Sequence, residues 1–148
     1  MGITHGHSRS DAVERLTAVL HRLIEDTNTM WRDGGLAEDS MVRAVCEDLQ
    51  AVQYAPHRDP EPWQAKSGME WLAGTEQAAR ALRGRGCRWS LHDLVVLTRN
   101  GSECVASYRI VHEWGDNETP SAQALFLETW RKDQDGQWRL ARHTAEKV

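Results

Sequence analysis

From Arg88 to the C-terminus the side chains alternate with a period of two, and Asn100-Gly101 and Asp135-Gly136 break that alternation. Such dipeptides supply the positive φ angles of tight hairpin turns, so they join strands that pair with their immediate neighbours. The segment therefore reads as an antiparallel meander of four strands: Trp89–Thr98, Glu103–Trp114, Gln123–Lys132 and Trp138–Glu146. The first half has a different period. Val13, Leu16, Val19 or Leu20, Leu23, Ile24, Thr27 and Trp31 recur every three or four residues, the mark of a helix with one buried face. Ser10 or Asp11 can cap its start, and Gly34-Gly35 ends it. A short helix is expected from Leu36 or Asp39 to Cys46 or Asp48, a short strand over Leu49–Tyr54, and a third helix over Trp63–Leu82. Between the last two, Pro56, Pro60 and Pro62 fix φ and remove donors, which predicts a surface or rim loop over 55–62. Helices followed by an antiparallel sheet predict an α+β domain, with the helices gathered on one face.

At 148 residues the chain is expected to form one domain, residues 11–148, behind a flexible tail over residues 1–10. Its net charge of −4 carries no basic stripe, which argues against nucleic acid as a partner. No apolar run approaches the ~20 residues of a membrane span. Cys46, Cys87 and Cys104 are odd in number, widely spaced and lack C-x-x-C spacing, so they predict buried thiols in a cytoplasmic protein. No H-x-x-x-H or H-x-E spacing suggests a metal site, and no cofactor is expected.

The stretch Phe126-Leu-Glu-Thr-Trp-Arg-Lys-Asp-Gln-Asp-Gly-Gln-Trp-Arg-Leu-Ala-Arg-His143 joins an aromatic strand, an acidic-Gly turn, a Trp, an apolar pair and a His five residues after that Trp. With Asp93-Leu-Val-Val-Leu and Val105-Ala-Ser-Tyr-Arg-Ile upstream, it resembles the nuclear transport factor 2-like superfamily, in particular its SnoaL-like and uncharacterised small-protein branches. The resemblance implies a cystatin-like fold: a cone-shaped, curved antiparallel sheet covered by three N-terminal helices, enclosing a pocket and usually dimeric. It leaves function open, because this superfamily holds isomerases, cyclases, dehydratases, epoxide hydrolases and proteins without catalysis.

The resemblance also assigns faces that alternation leaves open. Ketosteroid isomerases of the superfamily place an acidic oxyanion-stabilising residue eight positions before the turn glycine, and here that position is Glu128. The same matching puts Tyr108, Ile110, His112 and Trp114 on the pocket wall, together with Phe126, Trp130, Ala141, His143 and Ala145. Thr27, Asn28 and Trp31 approach from the first helix. Tyr108 is expected opposite Glu128, where a phenol and a carboxyl can share a proton. The implied catalytic set is Glu128, His112 and Tyr108, with His112 and Glu128 as the leading pair. Asn28, Trp31, Ile110, Trp114, Phe126, Trp130 and His143 are the implied ligand contacts. The isomerases' base, an Asp before proline, is replaced by Ala55 before Pro56, with His57 and Asp59 as nearby substitutes. The function implied is binding of a small apolar or aromatic organic molecule, with acid–base chemistry of cyclase, isomerase or lyase type. The alternative is a non-catalytic dimerisation or protein-interaction module. Its outer sheet face would carry Arg109, Leu125, Leu127 and Trp138, the surface also expected to form a homodimer.

Overall fold

The computed structural model describes residues 2–46, 49–54, 63–116 and 118–148. Helix α1 spans Gly2–Asp33 and so begins well before the cap expected at Ser10 or Asp11, through the stretch expected to be a flexible tail. Ala12, Leu16, Leu20, Leu23, Ile24, Thr27, Met30 and Trp31 form its buried face. Gly34, at φ 79°, closes it by donating to the Met30 carbonyl at 2.9 Å. Helix α2, Met41–Val45, starts at Ser40, whose hydroxyl accepts from the Val42 amide. Asp26 of α1 accepts from the Met41 amide at 2.7 Å and ties the two helices together.

Strand β1, Gln50–Tyr54, lies where alternation placed it. The next element differs from expectation. Trp63–Ser67 is a strand, β2, and the helix α3 starts only at Gly68 and runs to Ala81. The cause is a capping box: the Ser67 hydroxyl accepts from the Glu70 amide, and the Glu70 carboxylate accepts from the Ser67 amide. Residues before such a box are outside the helix, and here they pair antiparallel with β1. The proline-rich stretch 55–62, with His57 and Asp59, lies outside the described residues.

The four C-terminal strands are β3 (Arg88–Asn100), β4 (Glu103–Glu113), β5 (Ala122–Lys132) and β6 (Trp138–Lys147). They form the expected meander inside one six-stranded sheet of order β2-β1-β6-β5-β4-β3. One pairing departs from the antiparallel scheme, because β1 runs parallel to β6, with Ala51 beside His143. Helix α1 packs across β3 and β4, α2 on β6, and α3 on β1 and β2. The helices thus cover one face of the sheet.

Two irregularities decide which side chains reach that face. In β3 the register shifts between His92 and Val95, around Asp93 at φ 57°. Trp89 and Leu91 pack on the core before it, Leu94 and Val96 after it. In β5 and β6 the register shifts between Thr129 and Trp130, leaving Ala141 as an extra residue. Trp138 and Leu140 therefore point inward on one side of the bulge, and His143 and Ala145 on the other. Trp138, expected on the outer face, is buried at 6 % exposure for this reason. At the far end of the sheet the turns after α3 and β4 meet backbone to backbone. A Cβ at Gly86, whose φ is 69°, would stand 2.7 Å from the Gly115 Cα.

Candidate functional site

The inner face of β4, β5 and β6 carries Cys104, Ala106, Tyr108 and Ile110, then Phe126, Glu128 and Trp130, then Leu140, His143 and Ala145. All are apolar or aromatic except Glu128 and His143, each 2 % exposed. A carboxylate taken that far from water needs hydrogen-bond donors. Glu128 has three: Tyr108 Oη donates to Oε1 at 2.8 Å, Trp130 Nε1 donates to the same oxygen at 3.1 Å, and Oε2 lies 2.7 Å from His143 Nδ1.

Strand register explains this constellation. Glu128 stands directly across from Ala106 on one side and His143 on the other. Tyr108 is opposite Phe126, one pleat further along, so its phenol reaches Glu128 diagonally over the small Ala106 side chain. The expected face-to-face pairing of Tyr108 with Glu128 is thereby replaced by a diagonal one. The donor set is acceptor-specific for a carboxylate: indole is a donor only, and the phenol proton points at the same oxygen. His143 Nδ1 then carries its proton toward Oε2, and in the neutral ring Nε2 holds a lone pair. That Nε2 is buried and has no hydrogen-bond partner among the described residues. Phe126 meets the His143 ring edge-on at 4.5 Å, and Trp71 of α3 lies against it at 4.9 Å. The imidazole is clamped between a sheet residue and a helix residue.

Burial and the Glu128 charge, in that order, hold the Tyr108 phenol well above its ordinary value near 10. The Cys46 thiol is pushed up to about 12 by burial and, second, by the same charge. Tyr108 is thus a neutral donor and Cys46 an inert thiol.

The expected pairing of His112 with Glu128 does not form. His112 lies opposite Ala122 at the other end of β4, and its Nδ1 accepts from Trp89 Nε1 at 2.9 Å. Its neighbours are Trp31, Trp89 and Trp114, with ring centroids at 5.9, 6.3 and 4.5 Å. Burial first, and the Arg85 guanidinium second, lower its pKa from the ordinary 6.5. Protonating Nδ1 would also set one N–H against another. His112 is therefore expected to titrate below the ordinary histidine value of about 6.5, read from its ring signals by NMR. Trp89→Phe should move that titration upward. The unfolded chain takes this proton first, so the contribution of His112 to stability falls as pH drops through about 6.5 toward the lower folded value. A ring that titrates at or above 6.5 would rule out this account.

Other expected contacts divide. Asn28 ties two elements together: its amide bonds the Trp89 backbone twice, accepting from the N–H at 2.7 Å and donating to the carbonyl at 2.9 Å, which fixes α1 to β3. Ile110 and Trp130 are core residues, the latter fully buried. Trp114 is stacked under Arg85, whose guanidinium carbon sits 4.2 Å from the ring centroid. Phe126 joins the two aromatic groups, touching Trp89 at 5.8 Å as well as His143. The roles of Trp71, Trp89 and the Trp130 indole were not foreseen; each depends on tertiary contacts. No set of three His, Cys, Asp or Glu side chains among the described residues is arranged to hold a metal.

No protein-family model matches the sequence, and no curated protein matches it. Solved structures do. An NTF2-like protein with a cystatin-like fold from Novosphingobium aromaticivorans superposes with a TM-score of 0.67 at 18% identity, over 93% of this chain and 82% of that one. A domain of unknown function with a cystatin-like fold from Nostoc punctiforme gives 0.68 at 15%, over 93% and 78%. A dehydratase-like member of the NTF2-like family from Streptomyces avermitilis gives 0.65 at 12%, over 94% and 97%. The chain has the NTF2-like, cystatin-like fold.

Proposed function

We propose that this protein binds a small apolar or aromatic organic molecule between its helices and the inner sheet face, and acts on it by proton transfer. The reading rests on one observation: His143 commits Nδ1 to a buried carboxylate while Nε2 is left without a partner among the described residues. An imidazole so oriented is a general base at Nε2, and after accepting a proton it is a general acid ion-paired to Glu128. Tyr108 and Trp130 hold the carboxylate in place, and Trp71 and Phe126 make an aromatic surround. Removal and return of a proton on an apolar substrate is chemistry of the isomerase, lyase or cyclase type. The fold's occurrence in a dehydratase-like protein is compatible with it. No helix among the described residues is long and apolar enough to cross a membrane. The three free, buried cysteines support a cytoplasmic setting.

The test is a screen of small aromatic fragments against protein carrying 15N-labelled histidine. Binders should shift the His143 ring nitrogens, and Glu128→Gln should change that response. If every binder shifts only surface groups and leaves His143 untouched, the site assignment is wrong.

A second reading concerns the opposite face. Val95 and Leu97 of β3 are 52 and 63 % exposed, and Leu125 and Leu127 of β5 are 47 and 54 % exposed; they flank Val105, Ser107 and Arg109 of β4 on the outer surface. We infer that a second copy of the chain covers this patch, since apolar side chains of one sheet face are seldom left together in water. Sedimentation should show a dimer that Leu127→Arg weakens at least tenfold, because an arginine facing its symmetry mate there must desolvate its charge. A monomer at high micromolar concentration would exclude this interface.

A further inference from the structure

The aromatic group around His112 contains two buried N–H groups without acceptors. Trp31 is 7 % exposed, and its Nε1 has no partner among the described residues. His112 Nε2 is in the same state. Its chemical character follows from the other nitrogen. Indole can only donate, so the 2.9 Å contact from Trp89 Nε1 makes His112 Nδ1 the acceptor, and the neutral ring must carry its proton on Nε2. Two donors, an indole and an imidazole, thus occur in one aromatic cluster with ring centroids 5.9 Å apart. Buried donors without an acceptor are disfavoured, and a group that supplies one gains the whole benefit.

We propose that Trp31 Nε1–H and His112 Nε2–H form a subsite that takes a carbonyl oxygen of the bound molecule. A carbonyl suits the site better than a carboxylate. Both donors are neutral, the surroundings are aromatic, and the nearby Arg85 guanidinium already faces Trp114 and Asp116. The inference rests on the binding reading given above and adds polarity to it. Phe126 touches both His143 and Trp89, so a single aromatic wall links the proton-accepting nitrogen to the two donors. The ligand class is then an aromatic or apolar ketone, aldehyde, ester or lactone, oriented with its oxygen toward Trp31 and His112 and its remaining body toward His143. Trp31 and His112 act here as binding groups.

The experiment compares acetophenone with α-methylstyrene, which has nearly the same shape but a methylene in place of the oxygen. Wild-type protein is titrated with each while the indole N–H signals and the histidine ring signals are followed by NMR. Acetophenone should bind about tenfold more tightly, move the Trp31 indole proton downfield, and shift the His143 ring. In Trp31→Phe most of that preference should vanish while α-methylstyrene binds as before. Should that variant fold poorly, the wild-type indole shift decides alone. Equal affinity for both probes, with His143 perturbed and the Trp31 indole unmoved, overturns the subsite and leaves the binding reading intact. If neither probe moves His143 or Trp31, both readings fall.

Discussion

Glu128→Leu should lower stability by about 3–5 kcal/mol, the usual cost of removing one member of a buried charged network. The leucine fits the volume, but the Tyr108 hydroxyl, the Trp130 indole and His143 Nδ1 all lose their acceptor in a place water does not reach. Urea denaturation is the direct measurement. A loss below about 1 kcal/mol would mean that the three donors find other partners and that the network is not as described. Glu128→Gln separates stability from chemistry. Its amide oxygen can still accept from Tyr108 and Trp130, so the fold should lose only about 1–2 kcal/mol. Its NH2 group, however, faces His143 Nδ1, which must now accept. The imidazole proton moves to Nε2, and the proposed base becomes a donor. Any turnover should fall by a factor of about 100 or more, in line with the usual contribution of a general base. The tautomer change itself is visible in the 15N shifts of the ring. Unchanged turnover would remove the dyad from the mechanism.

Trp130→Ala should cost about 3–5 kcal/mol, the range for truncating a buried aromatic. Trp130 is fully buried, and it fills the space between the site and the end of the sheet where Trp138 and Leu140 pack. Trp130→Phe keeps most of the ring and removes only the donor to Glu128, so the cost should shrink to about 1–2 kcal/mol. The gap between the two variants in chemical denaturation measures how much of this residue is packing and how much is polar support. Near-equal losses would show that the indole N–H, rather than ring volume, carries its role.

The meander was legible because the turns at Asn100-Gly101 and Asp135-Gly136 both form locally and the alternation between them needs no tertiary information. Only Gly136 has the expected positive φ, at 80°, while the first turn is held by Asn100 Oδ1 accepting from the Ser102 amide. Helix α1 was legible from period, although its start was not: the first ten residues hold few apolar side chains, so periodicity gives no guide there. Strand β2 was missed because Trp63–Ser67 continues into a helical pattern, and only the pair Ser67 and Glu70 marks the border. In the site, Glu128 and Tyr108 were found together, but their partner was misassigned. Counting straight back from the Asp135-Gly136 turn, through Trp138 opposite Lys132 and Arg139 opposite Arg131, sets Arg142 across from Glu128. The extra residue at Ala141 puts His143 there instead. Nothing in the residue types around 141 announces the bulge, so the dyad could not be read from spacing. His112 was assigned to the right face and the wrong end, since alternation specifies a side of a strand and not a neighbour along it.

That single unpaired residue in β6 has a chemical consequence. Had Ala141 been paired like its neighbours, the buried glutamate would face the Arg142 guanidinium, which keeps its charge throughout the physiological range and can only serve as a fixed strut. With Ala141 outside the ladder, the glutamate faces an imidazole, whose second nitrogen can serve as donor or acceptor. Pairing Ala141 in turn, with no change of side-chain chemistry anywhere, would set an always-charged side chain across from Glu128 in place of an imidazole.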